Sequence, residues 1–265
     1  MPTIRRPHAT VAYDVVGDGP PVILGHSLFC TRSMWREVVD ALVHEYRFIN
    51  VELRGHGAST AEAPFSLNDL VDDWISILDQ ESVDRAILCG LSTGGMTAMR
   101  LALRAPERVY GMALLDTSAD REPLVNRVKN GALAWGYSRF GLLPSGALLA
   151  AMFAPETVRN RNDLTSSLLD EVRSFDRGQI SHAIRAVFGR DAVDLSGVTV
   201  PTLAMVGEHD AATPPSRARR IAATVKGANL TVIPGAGHLT TLEQPAAVVE
   251  HLRPFFARCV GRASR

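Results

Sequence analysis

The chain has 265 residues with 46% hydrophobic side chains, and its 28 basic and 28 acidic residues give a formal net charge of zero. This length suits one large domain or two small ones with a sizeable core. The balanced charge disfavours nucleic-acid binding, and no apolar run is long enough to span a membrane. The N-terminus lacks the apolar stretch of a secretory signal, and the three widely spaced cysteines show no metal-ligand pattern. We therefore expect a cytoplasmic protein with no nucleic-acid or membrane partner and no metal site.

Short apolar runs alternate with helical patterns along most of the chain. The predicted strands cover residues 10–16, 22–25, 48–51, 86–89, 109–115, 202–206 and 230–233. Between the first two strands, Asp18-Gly19 is typical of a hairpin turn. The alternation of strands with helices predicts an α/β fold in which helices cover both faces of a mostly parallel sheet.

The pattern changes between residues 121 and 191, where helical segments follow one another without a clear strand. Aromatic and methionine side chains recur in this segment. We interpret it as a helical cap inserted into the α/β core. The core would then comprise residues 1–120 and 192–265, with the cap at 121–191.

The stretch Gly90-Leu91-Ser92-Thr93-Gly94 joins an apolar strand to a segment of helical composition. A strand, a tight turn and a helix form the setting in which a nucleophilic serine is exposed at the top of a sheet. The glycines omit the Cβ atoms that would clash with neighbouring elements. Ser92 is therefore the candidate nucleophile. The alternative, a glycine-rich turn with an incidental serine, stays open because the motif also occurs by chance.

A serine nucleophile needs a histidine base, and the histidine needs a carboxylate that orients it. On this type of fold the three residues follow one another in the order serine, acid, histidine. Asp210 and His238 follow two successive predicted strands and complete that order. Asp116 also ends a strand and is the alternative acid. His26 and His56 precede the serine, and they either line the site or serve as structural hydrogen-bond partners.

The oxyanion formed during attack on a carbonyl requires two backbone N–H donors. One is expected from Thr93, directly after the nucleophile. The other is expected from the loop after residues 22–25, where Leu28 is the candidate donor.

Four loops carry a resemblance to a known family. Gly25-His26-Ser27-Leu28 resembles the oxyanion loop of α/β-hydrolases, and Glu-Leu-Arg-Gly-His-Gly-Ala-Ser at residues 52–59 resembles a second loop of that family. Gly207-Glu208-His209-Asp210 and Gly237-His238 resemble its acid and histidine loops. The resemblance covers nearly the whole chain. It implies an α/β-hydrolase fold with a catalytic triad of Ser92, Asp210 and His238.

Within that family the chain resembles the 3-oxoadipate enol-lactonases. Residues 89–97, 210–215 and 237–245 carry this resemblance. Thr93 stands where those enzymes usually have methionine, and Met152 stands where they have tryptophan. The resemblance implies hydrolysis of an ester or lactone more firmly than it implies one substrate.

We therefore expect a cofactor-free serine hydrolase that acts on a small ester or lactone, as a monomer or a homo-oligomer. An arylesterase, a perhydrolase or a C–C bond hydrolase would keep the same triad, and a ligand receptor on a hydrolase fold is an alternative of a different class. Arg127, Arg139 and Arg185 are candidates for neutralising a substrate carboxylate. The side chains predicted to bind substrate are His26, Trp135, Tyr137, Phe153 and Phe188.

Overall fold

An eight-stranded sheet forms the centre of the protein in a computed structural model that describes residues 1–263. The strands are β1 (Thr3–Arg6), β2 (Ala9–Val16), β3 (Pro21–Gly25), β4 (Arg47–Val51), β5 (Ala86–Leu91), β6 (Val109–Leu115), β7 (Thr202–Gly207) and β8 (Asn229–Ile233). Their order across the sheet is β1-β2-β4-β3-β5-β6-β7-β8. β2 is antiparallel to both β1 and β4, and the other neighbouring pairs are parallel. The mostly parallel sheet predicted from the sequence is confirmed.

The connection through Asp18-Gly19 does not form the expected hairpin, because β2 pairs with β4 and β3 lies on the other side of β4. Gly17 has φ +82°, and a Cβ atom there would lie 2.2 Å from the carbonyl oxygen of Tyr46. The turn therefore packs against the chain that leads into β4. The hairpin prediction is wrong because an Asp-Gly turn does not determine the pairing partner. The apolar β3 instead gains two parallel neighbours, as a strand buried on both faces requires.

Helices flank this sheet. They are α1 (Arg36–Leu42), α2 (Leu67–Gln80), α3 (Thr93–Arg104), α4 (Leu124–Phe140), α5 (Ser145–Met152), α6 (Pro155–Asn160), α7 (Asn162–Ser174), α8 (Arg177–Gly189), α9 (Pro215–Thr224), α10 (Thr240–Glu243) and α11 (Pro245–Ala263). Ser66 begins α2 with a capping box in which Asp69 is the partner, and the helix buries Trp74 completely. Pro254 lies inside α11 without ending it.

The carboxyl ends of the parallel strands bring several loops to one edge of the sheet. The loops after β3, β5 and β7 carry Leu28, Ser92 and Asp210. The five helices α4–α8, which we call the cap, lie between β6 and β7 in the chain, and α4 packs against α8. The cap and these loops enclose the cavity described next.

Candidate active site

The turn at Ser92 is strained and closely packed. β5 ends at Leu91 and α3 begins at Thr93, so Ser92 alone joins them, with φ +54° and ψ −108°. A positive φ is unfavourable for a non-glycine residue and is typically kept at functional sites. The Ser92 amide donates to Leu115 O at 2.9 Å, and Thr117 Oγ1 donates to Ser92 O at 2.7 Å. These two bonds to the end of β6 and the loop after it hold the turn in place.

Glycine at position 94 allows this turn to lie against the end of β3. A Cβ atom on Gly94 would lie 2.1 Å from the carbonyl oxygen of Gly25. The Gly94 amide donates to His26 O at 3.2 Å. The loop after β3 and the N-terminus of α3 are therefore held in direct contact, as a shared oxyanion site would require.

Asp210 and His238 form a buried pair. His238 Nδ1 lies 3.1 Å and 3.0 Å from the two carboxylate oxygens of Asp210. The carboxylate also accepts bonds from the Ala212 amide and from the amide and hydroxyl of Thr213. Burial lowers the pKa of His238, but the charge and hydrogen bond of Asp210 outweigh it, so the pKa is raised above its ordinary value. The arrangement stabilises an imidazolium at His238.

A cavity of about 270 Å³ brings Ser92 and His238 together in its wall. Ser92 is only 6% exposed, so a ligand must enter this cavity to reach it. Leu28 lines the same cavity. Asp210 lies behind His238, away from the lining. The structure thus places the predicted nucleophile and base where one bound molecule can contact both.

The two amides predicted as oxyanion donors are those of Thr93 and Leu28. Thr93 is the first residue of α3, so its N–H has no acceptor within the helix. The Leu28 N–H donates to no acceptor within residues 1–263. The next residue, Phe29, has φ +68°, and its amide donates to His56 Nε2 at 3.3 Å. His56 therefore fixes the backbone that presents the Leu28 amide.

His26 and His56 are structural residues in the described part of the chain. Both are almost completely buried, and their rings meet edge to face with centroids 4.8 Å apart. His26 Nε2 accepts the Leu53 amide at 2.9 Å, and its Nδ1 lies 2.8 Å from Ser27 O. Burial lowers the pKa of His26 to about 4 and that of His56 to about 3. His26 thus lies behind the oxyanion loop rather than in the cavity wall.

The four aromatic side chains predicted to bind substrate divide into two pairs. Tyr137 and Phe188 line the cavity, and the Tyr137 hydroxyl donates to Val172 O at 2.9 Å. Trp135 is 57% exposed on the outside of the cap. Phe153 is buried outside the cavity lining, beside the backbone of Gly237. These last two predictions require correction, because α4 turns Trp135 outward and the histidine loop covers Phe153.

Two contacts between the cap and the histidine loop were not anticipated. The amides of His238 and Leu239 donate to Met152 O at 3.0 Å and 3.1 Å. Glu243 accepts the Gly237 amide at 2.7 Å and the Ala154 amide at 2.9 Å. The end of α5 is thereby attached to the loop that carries His238. The only sequence signal was a glutamate five residues after His238, which in itself indicates no partner.

The alternative acid, Asp116, has different hydrogen-bond partners. It is fully buried, and its Oδ1 accepts the Gly207 amide at 2.8 Å while its Oδ2 accepts the Thr240 hydroxyl. Burial, together with the charge of Asp210, raises its pKa well above the ordinary value. Asp116 therefore connects the acid loop to the histidine loop, whereas Asp210 contacts the imidazole itself.

Within residues 1–263, no group of three or more histidine, cysteine, aspartate or glutamate side chains is arranged to hold a metal ion. None of the described helices combines the length and apolarity needed to cross a bilayer.

Several proteins of known sequence or structure are similar to this chain over nearly its whole length. A relative, 3-oxoadipate enol-lactonase 1 of Acinetobacter baylyi, is 26% identical over 250 residues, covering 93% of this chain and 92% of that protein. The enol-lactonase structure from Burkholderia xenovorans has a TM-score of 0.90 at 26% identity and covers 97% of this chain and 100% of that one. A thermophilic esterase from Thermogutta terrifontis has a TM-score of 0.89 at 27% identity, covering 95% and 94% of the two chains. The model of the alpha/beta hydrolase family matches residues 22–251, and the chain belongs to that family, as the four loops predicted.

Proposed function

We propose that the protein hydrolyses a carboxylic ester or lactone through a triad of Ser92, His238 and Asp210. The observation that carries the proposal is the cavity shared by a strained Ser92 and by His238, whose other ring nitrogen pairs with Asp210. The relatives named as enol-lactonases and esterases support this reaction class.

In the first step His238 Nε2 takes the proton of Ser92 as Oγ attacks the substrate carbonyl. Asp210 holds Nδ1–H and stabilises the imidazolium. The Thr93 and Leu28 amides donate to the oxyanion of the tetrahedral intermediate, and each such donor contributes about 3 kcal/mol to lowering the barrier. The intermediate collapses when the C–O bond to the alcohol breaks and His238 returns its proton to the leaving oxygen.

In the second step His238 removes a proton from water, which attacks the acyl-enzyme carbonyl. Collapse of the second tetrahedral intermediate breaks the bond to Ser92, His238 returns the proton to Ser92 Oγ, and the carboxylic acid is released. With a linear ester the alcohol and acid leave separately. With a lactone both groups belong to one hydroxy acid, or to its keto form when the alcohol is an enol.

The test compares wild type with Ser92→Ala, using a fluorophosphonate probe and phenyl acetate. We expect the probe to label only the wild type, and kcat for phenyl acetate to fall by about 10⁶-fold in the variant. Hydrolysis of 3-oxoadipate enol-lactone is measured in parallel, because it tests the enol-lactonase resemblance. A folded wild type that is neither labelled nor active on phenyl acetate would refute the proposal and favour a ligand receptor.

A further inference from the structure

The cap side of the cavity wall is mostly apolar. The cap contributes to it from α4, α5 and α8, the helices that lie over Ser92. The apolar side chains that define this wall are Leu133, Leu143, Leu148, Met152, Ile184 and Val187. A substrate group held there exchanges water for hydrocarbon, which favours an alkyl chain and penalises a charge.

Three charged side chains also reach this lining, but only two are buried. Glu122 and Arg190 are 9% and 5% exposed, whereas Lys129 is exposed at the cavity edge. The Lys129 ammonium stays hydrated there, so its attraction to an anion is weak and screened. Any strong recognition of a substrate carboxylate inside the cavity would therefore fall to Arg190.

Arg190 is already occupied by partners within the protein. Its Nη2 donates to Glu122 Oε1 at 2.7 Å, its Nη1 to Val187 O at 2.8 Å and its Nε to Asp120 O at 3.1 Å. All three guanidinium nitrogens thus have an acceptor, and Glu122 balances the charge. A substrate carboxylate would have to displace Glu122 or remain unpaired beside it, and both are costly in a buried site.

The three arginines proposed from the sequence do not replace Arg190. Arg127 and Arg185 line an outer depression of the cap that adjoins the cavity across Phe188 but lies outside it. Arg139 lies near the C-terminal end of α4, with its guanidinium over the ring of Phe140. None of the three belongs to the cavity lining.

From this arrangement we propose that Glu122 is a specificity-determining residue, which holds Arg190 so that the cavity selects uncharged aliphatic acyl groups and rejects acyl groups ending in a carboxylate. The proposal rests on the hydrolase function proposed above and narrows its substrate class. It separates this chain from an enzyme for the enol-lactone of 3-oxoadipate, because that lactone keeps a free carboxylate.

The experiment uses three phenyl esters with six-carbon acyl chains and follows phenol release. Phenyl hexanoate ends in a methyl group, monophenyl adipate in a carboxylate, and methyl phenyl adipate in an uncharged ester. In the wild type we expect kcat/KM for the hexanoate to exceed that for monophenyl adipate by about 100-fold. The methyl phenyl adipate should lie near the hexanoate, which separates charge from size.

Glu122→Gln removes the internal anion and leaves Arg190 free to meet a substrate carboxylate. We expect the hexanoate-to-adipate preference to fall by about 10-fold in this variant. Glu156→Gln, at an exposed cap position outside the cavity, is the matched control and should keep the wild-type preference. An unchanged preference in a folded Glu122→Gln protein would overturn the proposal.

A buried arginine without its partner can unfold a protein, so a double variant completes the design. Glu122→Gln with Arg190→Met contains neither charge and should keep a strong preference for the hexanoate. Efficient hydrolysis of monophenyl adipate by the wild type or the double variant would overturn the proposal. Fluorophosphonate labelling of Ser92 is recorded for every variant. Absence of labelling in the wild type would refute the hydrolase function itself, whereas labelling with equal rates for the three esters would refute only the selectivity.

Discussion

The catalytic loops and the cap form two walls of one cavity, and different forces hold them. In the loop wall, buried polar groups have fixed partners, such as Asp210 with His238 and Glu243 with the Gly237 amide. The cap wall is held mainly by apolar packing, apart from the buried Glu122–Arg190 pair. Its helix α4 buries Ala134, Gly136 and Tyr137 and leaves other large apolar side chains, such as Leu124 and Trp135, exposed outside.

This difference indicates how each wall responds to change. A hydrogen bond depends on orientation, so losing one partner in the loop wall should affect the chemistry or the fold strongly. Apolar packing has little directionality, so changes in the cap wall should alter substrate preference by smaller amounts. The four predictions below test this contrast.

The largest expected effect concerns Asp210, the proposed acid of the triad. Asp210→Asn removes the charge that supports the His238 imidazolium and favours the wrong tautomer, so kcat for phenyl acetate should fall by about 10⁴-fold. Asp116→Asn is the matched control, because Asp116 is equally buried but contacts Gly207 and Thr240 instead of the imidazole. Its loss of kcat should be much smaller. The reverse ranking would make Asp116 the catalytic acid.

The next largest effect concerns His26 and His56, which are buried behind the loop wall and make the fold sensitive to acid. The folded pKa values of about 4 for His26 and about 3 for His56 lie below the ordinary value of 6.5. At pH values below 6.5 and above the folded pKa values, the unfolded chain therefore binds more protons than the folded one. The free energy of unfolding falls as the pH falls through this range. Relative to pH 7, the two histidines should lower the free energy of unfolding at pH 4.5 by roughly 5 kcal/mol.

Urea unfolding between pH 4.5 and pH 7 measures this dependence. His56→Gln keeps a side-chain acceptor for the Phe29 amide but removes one titrating group. The slope of the free energy of unfolding against pH should therefore decrease by the amount that corresponds to about one proton. The exposed His44→Gln is the control, and its slope should match the wild type. Equal slopes for wild type and His56→Gln would show that His56 does not titrate in this way.

The third prediction tests the attachment of the cap to the histidine loop. Glu243→Ala leaves the buried amides of Gly237 and Ala154 without their acceptor. We expect the free energy of unfolding to fall by about 3 kcal/mol, together with a lower kcat. Urea unfolding measures the first quantity, with the exposed Glu250→Ala as the control. A Glu243→Ala protein as stable as this control would mean that the attachment contributes little.

The contrast between the loop wall and the cap wall also explains which features the sequence could predict. Ser92, Asp210 and His238 each follow a strand within a short motif, so their meeting at one edge follows from the topology of a parallel sheet. The partners of Glu243 and Asp116 were not predictable. Glu243 accepts the Ala154 amide, 89 residues away, and Asp116 accepts the Gly207 amide, 91 residues away. Every residue except proline supplies such an amide, so the sequence does not single these partners out.

The cap lining was predicted least well, because α4 gives little indication of which face is buried. Trp135 and Tyr137 are two residues apart, so they lie about 200° apart around the helix and cannot face the same cavity. Tyr137 faces inward and Trp135 outward. Apart from Tyr137, the large apolar side chains of this helix are exposed, among them Leu124 and Val125, so apolarity does not mark its buried face.

The smallest expected effect tests the cap wall with these aromatic residues. Phe188→Ala removes a ring from the cavity lining, so kcat/KM for phenyl hexanoate should fall by about 10-fold. Trp135→Ala removes a larger ring, but one that packs on Phe140 outside the cavity, so the same ratio should stay at the wild-type value. The two variants together separate a ring that contacts substrate from one that only covers the cap. A loss of kcat/KM in Trp135→Ala as large as in Phe188→Ala would mean that the Trp135 face of α4 contacts the substrate, contrary to the lining described above.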